Sequence, residues 1–159
     1  MSEAPPRPGA APPFPPTSRE RPRKTAVVAS TPSDSHTWGL VVLQCVLEEA
    51  GFFVRNLGAC CPVDVLLDEC RAAPPALVAI STVNGHGRVE GAELISAFRR
   101  VPGLSDVPVV IGGMLTTGGT GRREVVAELT GLGFTGVFVG DAALREFRDH
   151  LAWADAHAR

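Results

Sequence analysis

A single junction decides the fold: residues 26–39 read AVVASTPSDSHTWG. The apolar residues 26–29 predict a short buried strand, and the apolar run that begins at Leu40 predicts a helix packed on a sheet. Ser30 to Gly39 therefore form the first strand-to-helix loop of an α/β unit. Open parallel sheets bind their ligands in loops of this kind.

This loop contains the pattern Asp34-x-His36-x-x-Gly39. A carboxylate two residues before a histidine can accept one ring N–H and leave the other ring nitrogen free to coordinate a metal. Glycine at the end of the loop would let the backbone pass close to a bulky group. The alternatives are an ordinary exposed loop histidine and an aspartate that forms an Asx turn or caps the helix.

Working outward from the junction, the chain alternates strand and helix patterns five times. The predicted strands are 25–29, 52–57, 76–81, 107–111 and 136–139, and each is followed by a helix, the first over 40–50 and the last capped by Asp141. The third strand is apolar throughout, as expected of a central strand covered on both faces. The pattern predicts an α/β fold, a doubly wound five-stranded parallel sheet in the flavodoxin-like order 2-1-3-4-5, flanked by helices.

In that order the carboxyl ends of strands one, three and four lie side by side. Each of these ends carries an unusual sequence: the Asp34–Gly39 loop, then Ser81-Thr82-Val83, then Gly112-Gly113. Glycine pairs provide space where a deep slot has to open between a sheet and its helices.

These three motifs, in this order, resemble the D-x-H-x-x-G, S-x-L and G-G motifs of cobalamin-binding domains of the mutase and methyltransferase type. In that family the histidine replaces the cofactor's own dimethylbenzimidazole as the lower ligand to cobalt, and the displaced nucleotide tail is buried in the domain. The resemblance implies His36 as the metal ligand and a larger set of cofactor-binding residues: Asp34, Ser35, His36, Thr37, Gly39, Ser81, Val83, Gly85, Gly112 and Gly113. Val83 replaces the leucine of the family motif.

Within the family the chain is most similar to the small cobalamin-binding subunits of glutamate (methylaspartate) mutases. Those subunits have SSLYGQG where residues 81–87 here read STVNGHG, and polar residues where 40–42 here are apolar. The resemblance implies the small subunit of a two-component isomerase that uses adenosylcobalamin for a carbon-skeleton rearrangement. Cobalt–carbon homolysis would generate the radical, and a separate large barrel subunit would bind the substrate, so this chain alone would be inactive.

Two other classes of protein remain open. One is a cobalamin carrier without catalysis of its own, or a corrinoid methyl-transfer protein, which would use the same site. The other is a flavodoxin-like FMN electron carrier, because the first loop is rich in hydroxyls that could cradle a phosphate: Ser30, Thr31, Ser33, Ser35 and Thr37. Against it, the chain has no tyrosine, and only Trp38 lies near a strand end to stack on a flavin.

Composition excludes several partners. The net charge is -2, with acids and bases interspersed, so we expect no nucleic-acid partner. No apolar run approaches the roughly 20 residues of a membrane span, so we expect no membrane partner. There is no secretory signal pattern, and cysteines 45, 60, 61 and 70 lack C-x-x-C spacing, so we expect a cytoplasmic protein with reduced thiols.

The chain divides into two regions of different composition. Residues 1–23 contain eight of the 14 prolines, which predicts a disordered or polyproline-like tail. Residues 24–159 carry the regular strand–helix alternation and are predicted to form the cobalamin-binding domain.

Overall fold

A computed structural model describes residues 24–118 and 121–157. Its elements alternate along the chain: β1 (Thr25–Ser30), α1 (Trp38–Glu49), β2 (Phe53–Asn56), α2 (Val63–Ala72), β3 (Leu77–Thr82), α3 (Gly87–Arg99), β4 (Val109–Gly113), α4 (Arg122–Leu132), β5 (Gly136–Val139) and α5 (Ala143–His157). The tail predicted over residues 1–23 lies outside the described residues.

The five strands form one parallel sheet in the order β2-β1-β3-β4-β5. The predicted α/β architecture and strand order are therefore confirmed. The register places Ser30 opposite Ser81, and Ser81 opposite Gly112. The three unusual sequences consequently meet at one edge of the sheet, as their positions after strands one, three and four predicted.

Helices cover both faces of the sheet, because alternate side chains of a strand point to opposite sides. Val78 and Ile80 of β3 join the core formed with α2, α3 and α4. Leu77 and Ala79 of the same strand join a second, smaller core formed with α1 and α5. The central strand is thus buried on both faces, which accounts for its uninterrupted apolar sequence.

The ends of several elements differ from the predicted ones. The first helix begins at Trp38 rather than Leu40, since the carbonyl of Thr37 already accepts hydrogen bonds from the amides of Leu40 and Val41. Ala50, the last residue of the predicted first helix, is exposed and lies beyond the helix, which ends at Glu49. The fourth strand includes both glycines of the Gly-Gly motif, which was predicted to follow it.

The last helix buries a narrow stripe. Phe147 and Leu151 are buried, whereas Leu144 is 40% exposed and Ala154 is exposed.

All four cysteines are unpaired, with Cys61 and Cys70 buried and the other two exposed. Across residues 24–118 and 121–157, no helix has both the length and the apolar character to cross a membrane.

Candidate cofactor-binding site

Asp34 is the centre of the hydrogen bonding at this edge of the sheet and is almost fully buried. Its Oδ1 accepts the backbone N–H of His36 at 2.9 Å and lies 2.7 Å from Nδ1 of the same histidine. Its Oδ2 accepts the backbone N–H of Val83 at 2.6 Å and that of Asn84 at 3.3 Å. One carboxylate therefore ties the β1–α1 loop to the β3–α3 loop.

These contacts fix the charge of Asp34 and the tautomer of His36. Burial by itself would raise the pKa of Asp34. Hydrogen bonds from the backbones of His36 and Val83, from the His36 ring and from the Thr82 hydroxyl outweigh burial and lower that pKa to about 2. An ionised carboxylate only accepts hydrogen bonds, so Nδ1 of His36 is the donor and, in the neutral ring, Nε2 keeps its lone pair.

The lone pair of Nε2 is accessible. The His36 side chain is 61% exposed, and within the part of the chain that the structure describes its Nε2 makes no hydrogen bond. This arrangement, one ring nitrogen held by a buried carboxylate and the other open, is the usual environment of a histidine that coordinates a metal. The contact between the Asp34 carboxylate and Nδ1 is the one that the sequence spacing predicted, and metal coordination by His36 stays a prediction.

The backbone around Asp34 is held from two further directions. Its carbonyl accepts the hydroxyl of Ser30 and the amide of Cys60, both at 2.8 Å. The carboxylate does not cap α1, whose N-cap residue is Thr37 and has no side-chain cap. Of the two ordinary roles considered for Asp34, the helix cap is therefore absent, whereas the bond to the amide two residues on is that of an Asx turn.

A cleft of about 200 Å³ opens beside this pair, between the sheet and helices α1 and α5. Five of the predicted site residues line it: Gly39, Ser81, Val83, Gly112 and Gly113. The remaining walls are apolar and include Leu43 of α1, Phe138 of β5, and Leu144 and Phe147 of α5.

Glycines keep the cleft open and its walls close together. A Cβ at Gly39 would collide with the hydroxyl of Ser81, and a Cβ at Gly112 would lie 3.1 Å from the carbonyl oxygen of Phe138. Gly113 has a φ of 120°, and a Cβ there would collide with the carbonyl oxygen of Thr82. No larger residue fits these positions without displacing its neighbours.

The hydroxyl of Ser81 is the polar group in the apolar lining that is available to a ligand. It makes no hydrogen bond within the described residues, although it lines the cleft. The neighbouring hydroxyls are all engaged: Ser30 donates to the Asp34 carbonyl, and Thr31 donates to Thr82 at 3.2 Å.

A comparison with known protein families identifies the family of this chain. The model of the B12 binding domain matches residues 24–147. The chain belongs to the B12-binding domain family.

Its curated relatives include glutamate mutase sigma subunits. That of Carboxydothermus hydrogenoformans is 31% identical over 106 residues, 67% of this chain and 77% of the relative. Sigma subunit 1 of Haloarcula marismortui is 31% identical over 122 residues, 77% of this chain and 79% of the relative. The HTH-type transcriptional repressor CarA of Myxococcus xanthus is 32% identical over 108 residues, which cover 68% of this chain but only 35% of the repressor.

Solved structures with the same fold include other corrinoid proteins. A cobalamin-binding protein from Desulfitobacterium hafniense superimposes with a TM-score of 0.65 at 22% identity, over 82% of this chain and 60% of that one. The methanol:cobalamin methyltransferase complex MtaBC from Methanosarcina barkeri gives 0.63 at 17% identity, over 89% and 48%. The B12-binding chain described here spans about half to three fifths of these longer structures, and at such identities the likeness shows the fold alone.

Five of the ten predicted site residues do not line the cleft: Asp34 and His36, which form the hydrogen-bonded pair, and Ser35, Thr37 and Gly85. Ser35 and Thr37 are exposed on the loop that carries His36. Gly85 has a φ of 85°, packs against Thr117 and donates its amide to the carbonyl of Met114, so it shapes the turn before α3.

Sequence reasoning missed the residues that reach the site from elsewhere in the chain. Phe138, Leu144 and Phe147 line the cleft from β5 and α5, and their apolar character alone gave no sign of it. Asn84 also escaped notice. An asparagine two residues after a strand end is, however, a common turn residue that bonds nearby backbone, and this signal could have identified it.

The side chains available as metal ligands also limit the kind of metal that could bind. Among residues 24–118 and 121–157 there is no group of three His, Cys, Asp or Glu side chains placed to hold a metal ion. A metal at His36 would therefore take one protein nitrogen and bring its remaining ligands with it.

Proposed function

We propose that this chain binds cobalamin with its benzimidazole displaced from cobalt, using Nε2 of His36 as the lower ligand, and that it is the cobalamin subunit of a two-component, adenosylcobalamin-dependent carbon-skeleton mutase in the cytoplasm. One observation carries the proposal: the Asp34–His36 pair stands beside a glycine-lined cleft. The relatives named glutamate mutase sigma subunit support the choice of reaction class.

The residues present fit this cofactor. His36 would supply the one protein nitrogen to the cobalt of a corrin, which brings its remaining ligands with it. The displaced tail ends in a flat aromatic base on a sugar, and the cleft is narrow, apolar and provided with one free hydroxyl, Ser81. At about 200 Å³ the cleft is below the roughly 300–1,000 Å³ of pockets that hold a whole drug-sized ligand. It therefore suits one part of the cofactor rather than all of it.

Each residue has a separate task in this arrangement. Asp34 holds the His36 ring through Nδ1 and so leaves Nε2 to donate its lone pair to a metal. Gly39 and Gly112 leave the space for the base, and the Ser81 hydroxyl is placed to hydrogen-bond it. Adenosylcobalamin, when bound, would supply the radical chemistry that a carbon-skeleton rearrangement requires.

Substrate binding is assigned to a separate large barrel subunit. The three segments at this edge, residues 31–40, 81–87 and 112–115, contain no lysine or arginine to hold an acidic substrate. They do expose large apolar side chains, Trp38 at 76% and Met114 at 55%. Exposed apolar groups around a site are typical of a surface that another molecule covers.

The flavin alternative receives no support from the first loop. A phosphate site needs hydroxyls and amides that point at an open cavity. Here the hydroxyls of Ser30, Thr31 and Ser33 bond to protein groups instead. A carrier or a methyl-transfer protein would use the same His36 site but would have a different partner. Identifying the partner and assaying the complex therefore distinguish these roles from the mutase role.

Reconstitution with cobalamin tests the binding mode. The absorbance of the protein–cobalamin complex should show the benzimidazole-free form for the unaltered chain, and His36→Ala should lose it. His86→Ala is the matched control, since His86 is an exposed histidine on the neighbouring loop of the same edge. An equal loss in both variants, or binding of FMN in place of cobalamin, would refute the proposal.

The mutase role needs a test of its own. The tagged chain loaded with adenosylcobalamin should retain a large subunit on affinity capture, and the complex should interconvert a branched and a linear amino acid such as methylaspartate and glutamate. His36→Ala, purified with the same partner, should not. Methyl transfer from the captured complex, without isomerisation, would replace the mutase by the corrinoid methyl-transfer alternative.

A further inference from the structure

We infer that Asn84 is a positioning residue that holds the cobalt-ligand loop in register with α3, an inference that rests on the proposed role of His36. Asn84 does not line the cleft, and its side-chain hydrogen bonds go to Ser33, to the backbone of His86 and to Thr82 rather than to the His36 side chain. Its influence would pass through Ser33, which lies three residues before His36.

The Asn84 side chain is bound at both of its ends. Its Oδ1 accepts the backbone N–H of His86 at 3.0 Å and the hydroxyl of Thr82 at 3.3 Å. Its Nδ2 donates to the hydroxyl of Ser33 at 2.8 Å. Because a backbone N–H only donates, the atom facing His86 has to be the amide oxygen, which leaves the NH₂ group for Ser33. The orientation of the amide is thus set by α3 and presented to the first loop.

The first loop depends on polar links because it lacks apolar packing. From Pro32 to Trp38 every residue except Asp34 is exposed. Two further links reach the end of β3 and the loop after it: the part-buried bonds of the Asp34 carboxylate to the amides of Val83 and Asn84, and the buried Thr31–Thr82 hydroxyl pair. The Ser33–Asn84 bond is the third link and the one on the solvent side. It restrains Ser33 on the solvent side of Asp34, whereas the Asp34 carboxylate holds His36 directly.

Three variants measure the link: Ser33→Ala, Asn84→Ala and the double variant. Each neutral hydrogen bond contributes about 1 kcal/mol, or roughly a fivefold change in an equilibrium constant. We expect Ser33→Ala to weaken cobalamin binding about fivefold and Asn84→Ala somewhat more, and the double variant to be no weaker than Asn84→Ala. Gln44→Ala is the matched control, because its amide bonds Glu48 and Asn56 at the surface, away from the three loops. It should bind like the unaltered chain.

A spectroscopic readout separates positioning from general destabilisation. In the cob(II)alamin form, the fraction of cofactor with electron-spin coupling to a protein nitrogen should fall in Ser33→Ala and Asn84→Ala and stay constant in Gln44→Ala. Affinity losses that simply add in the double variant, or a lower melting temperature with an unchanged coupled fraction, would overturn the inference. Ser33 is exposed, so its alanine variant remains informative should Asn84→Ala fail to fold.

The same measurements distinguish a failure of the proposed function from a failure of the role inferred for Asn84. Absence of protein-nitrogen coupling in the unaltered chain would contradict the proposed function and this inference with it. Normal coupling in the unaltered chain together with unchanged binding in Ser33→Ala and Asn84→Ala would contradict the inference alone.

Discussion

At the scale of residues, the site is made by one buried carboxylate that serves two loops. Asp34 uses Oδ1 to fix the His36 ring and Oδ2 to gather the amides after β3. Its low pKa follows from these donors, so the carboxylate is ionised throughout the neutral range. The histidine and the cleft are consequently held relative to each other by the same side chain.

Replacing Gly112 by leucine should fill the cleft. A side chain there meets Phe138 and occupies the space assigned to the benzimidazole, so cobalamin binding should fall at least a hundredfold. Cobinamide lacks the nucleotide tail, and its affinity should change less than threefold. Gly131→Leu is the control, since a Cβ at Gly131 on α4 meets no atom within 4 Å. Titration with both corrinoids checks this, and equal losses for the two would place the tail elsewhere.

The local part of this site was predictable and the distant part was not. Asp34 and His36 are two residues apart, so their contact follows from loop geometry and appears in the sequence spacing. The amides of Val83 and Asn84 come from 49 and 50 residues further on. Bonds to backbone amides carry no side-chain signal, so the sequence could bring the two loops to one edge but could not pair them.

At the scale of elements, the main feature is that α1 starts inside the predicted first loop, the one that carries His36. The helix begins at Trp38, two residues after His36, and its first residue is 76% exposed. Leu40 is the first residue of this helix that the core buries. Element types and order followed from apolar periodicity, whereas helix ends depended on single backbone bonds and were displaced by one or two residues.

Amide hydrogen exchange should show that residues 31–43 become ordered when cobalamin binds. Ordering a residue costs roughly 1–2 kcal/mol, and the exposed loop buries too little apolar surface to offset that cost without the cofactor. We expect fast exchange over 31–43 in the free protein and clear protection in the complex, with β3 protected in both. If residues 31–43 are as protected as β3 in the free protein, the site is preformed and the prediction is wrong.

At the scale of the whole molecule, binding and stabilising groups occupy opposite edges of the sheet. The proposed cofactor groups stand at the carboxyl ends of β1, β3 and β4. Arg99, at the end of α3, donates to the carbonyls of Leu104 and Val107 before β4 and of Gly133 before β5. This one guanidinium joins the α3–β4 and α4–β5 connections, at the edge of the sheet opposite the proposed cofactor site.

Arg99→Ala should therefore lower stability without altering the site. Removing the guanidinium leaves several carbonyls without a donor, and we expect a loss of about 2–3 kcal/mol in the free energy of unfolding. Cobalamin affinity should stay within a factor of two under conditions where the variant is folded. Arg99→Lys should recover part of the loss, since an ammonium reaches fewer of these carbonyls. Urea unfolding and cobalamin titration of the unaltered chain, Arg99→Ala and Arg99→Lys test this prediction. A tenfold loss of cobalamin affinity in folded Arg99→Ala would contradict the view that binding and stabilising groups occupy opposite edges of the sheet.

The most direct test of the whole account is the identity of the lower cobalt ligand. The cob(II)alamin form should be prepared on protein grown with isotopically labelled histidine and on unlabelled protein, and their electron paramagnetic resonance spectra compared. If His36 is the ligand, the nitrogen splitting changes from a triplet to a doublet on labelling, and His36→Ala loses it. A triplet that survives labelling would come from the cofactor's own benzimidazole and would contradict the account.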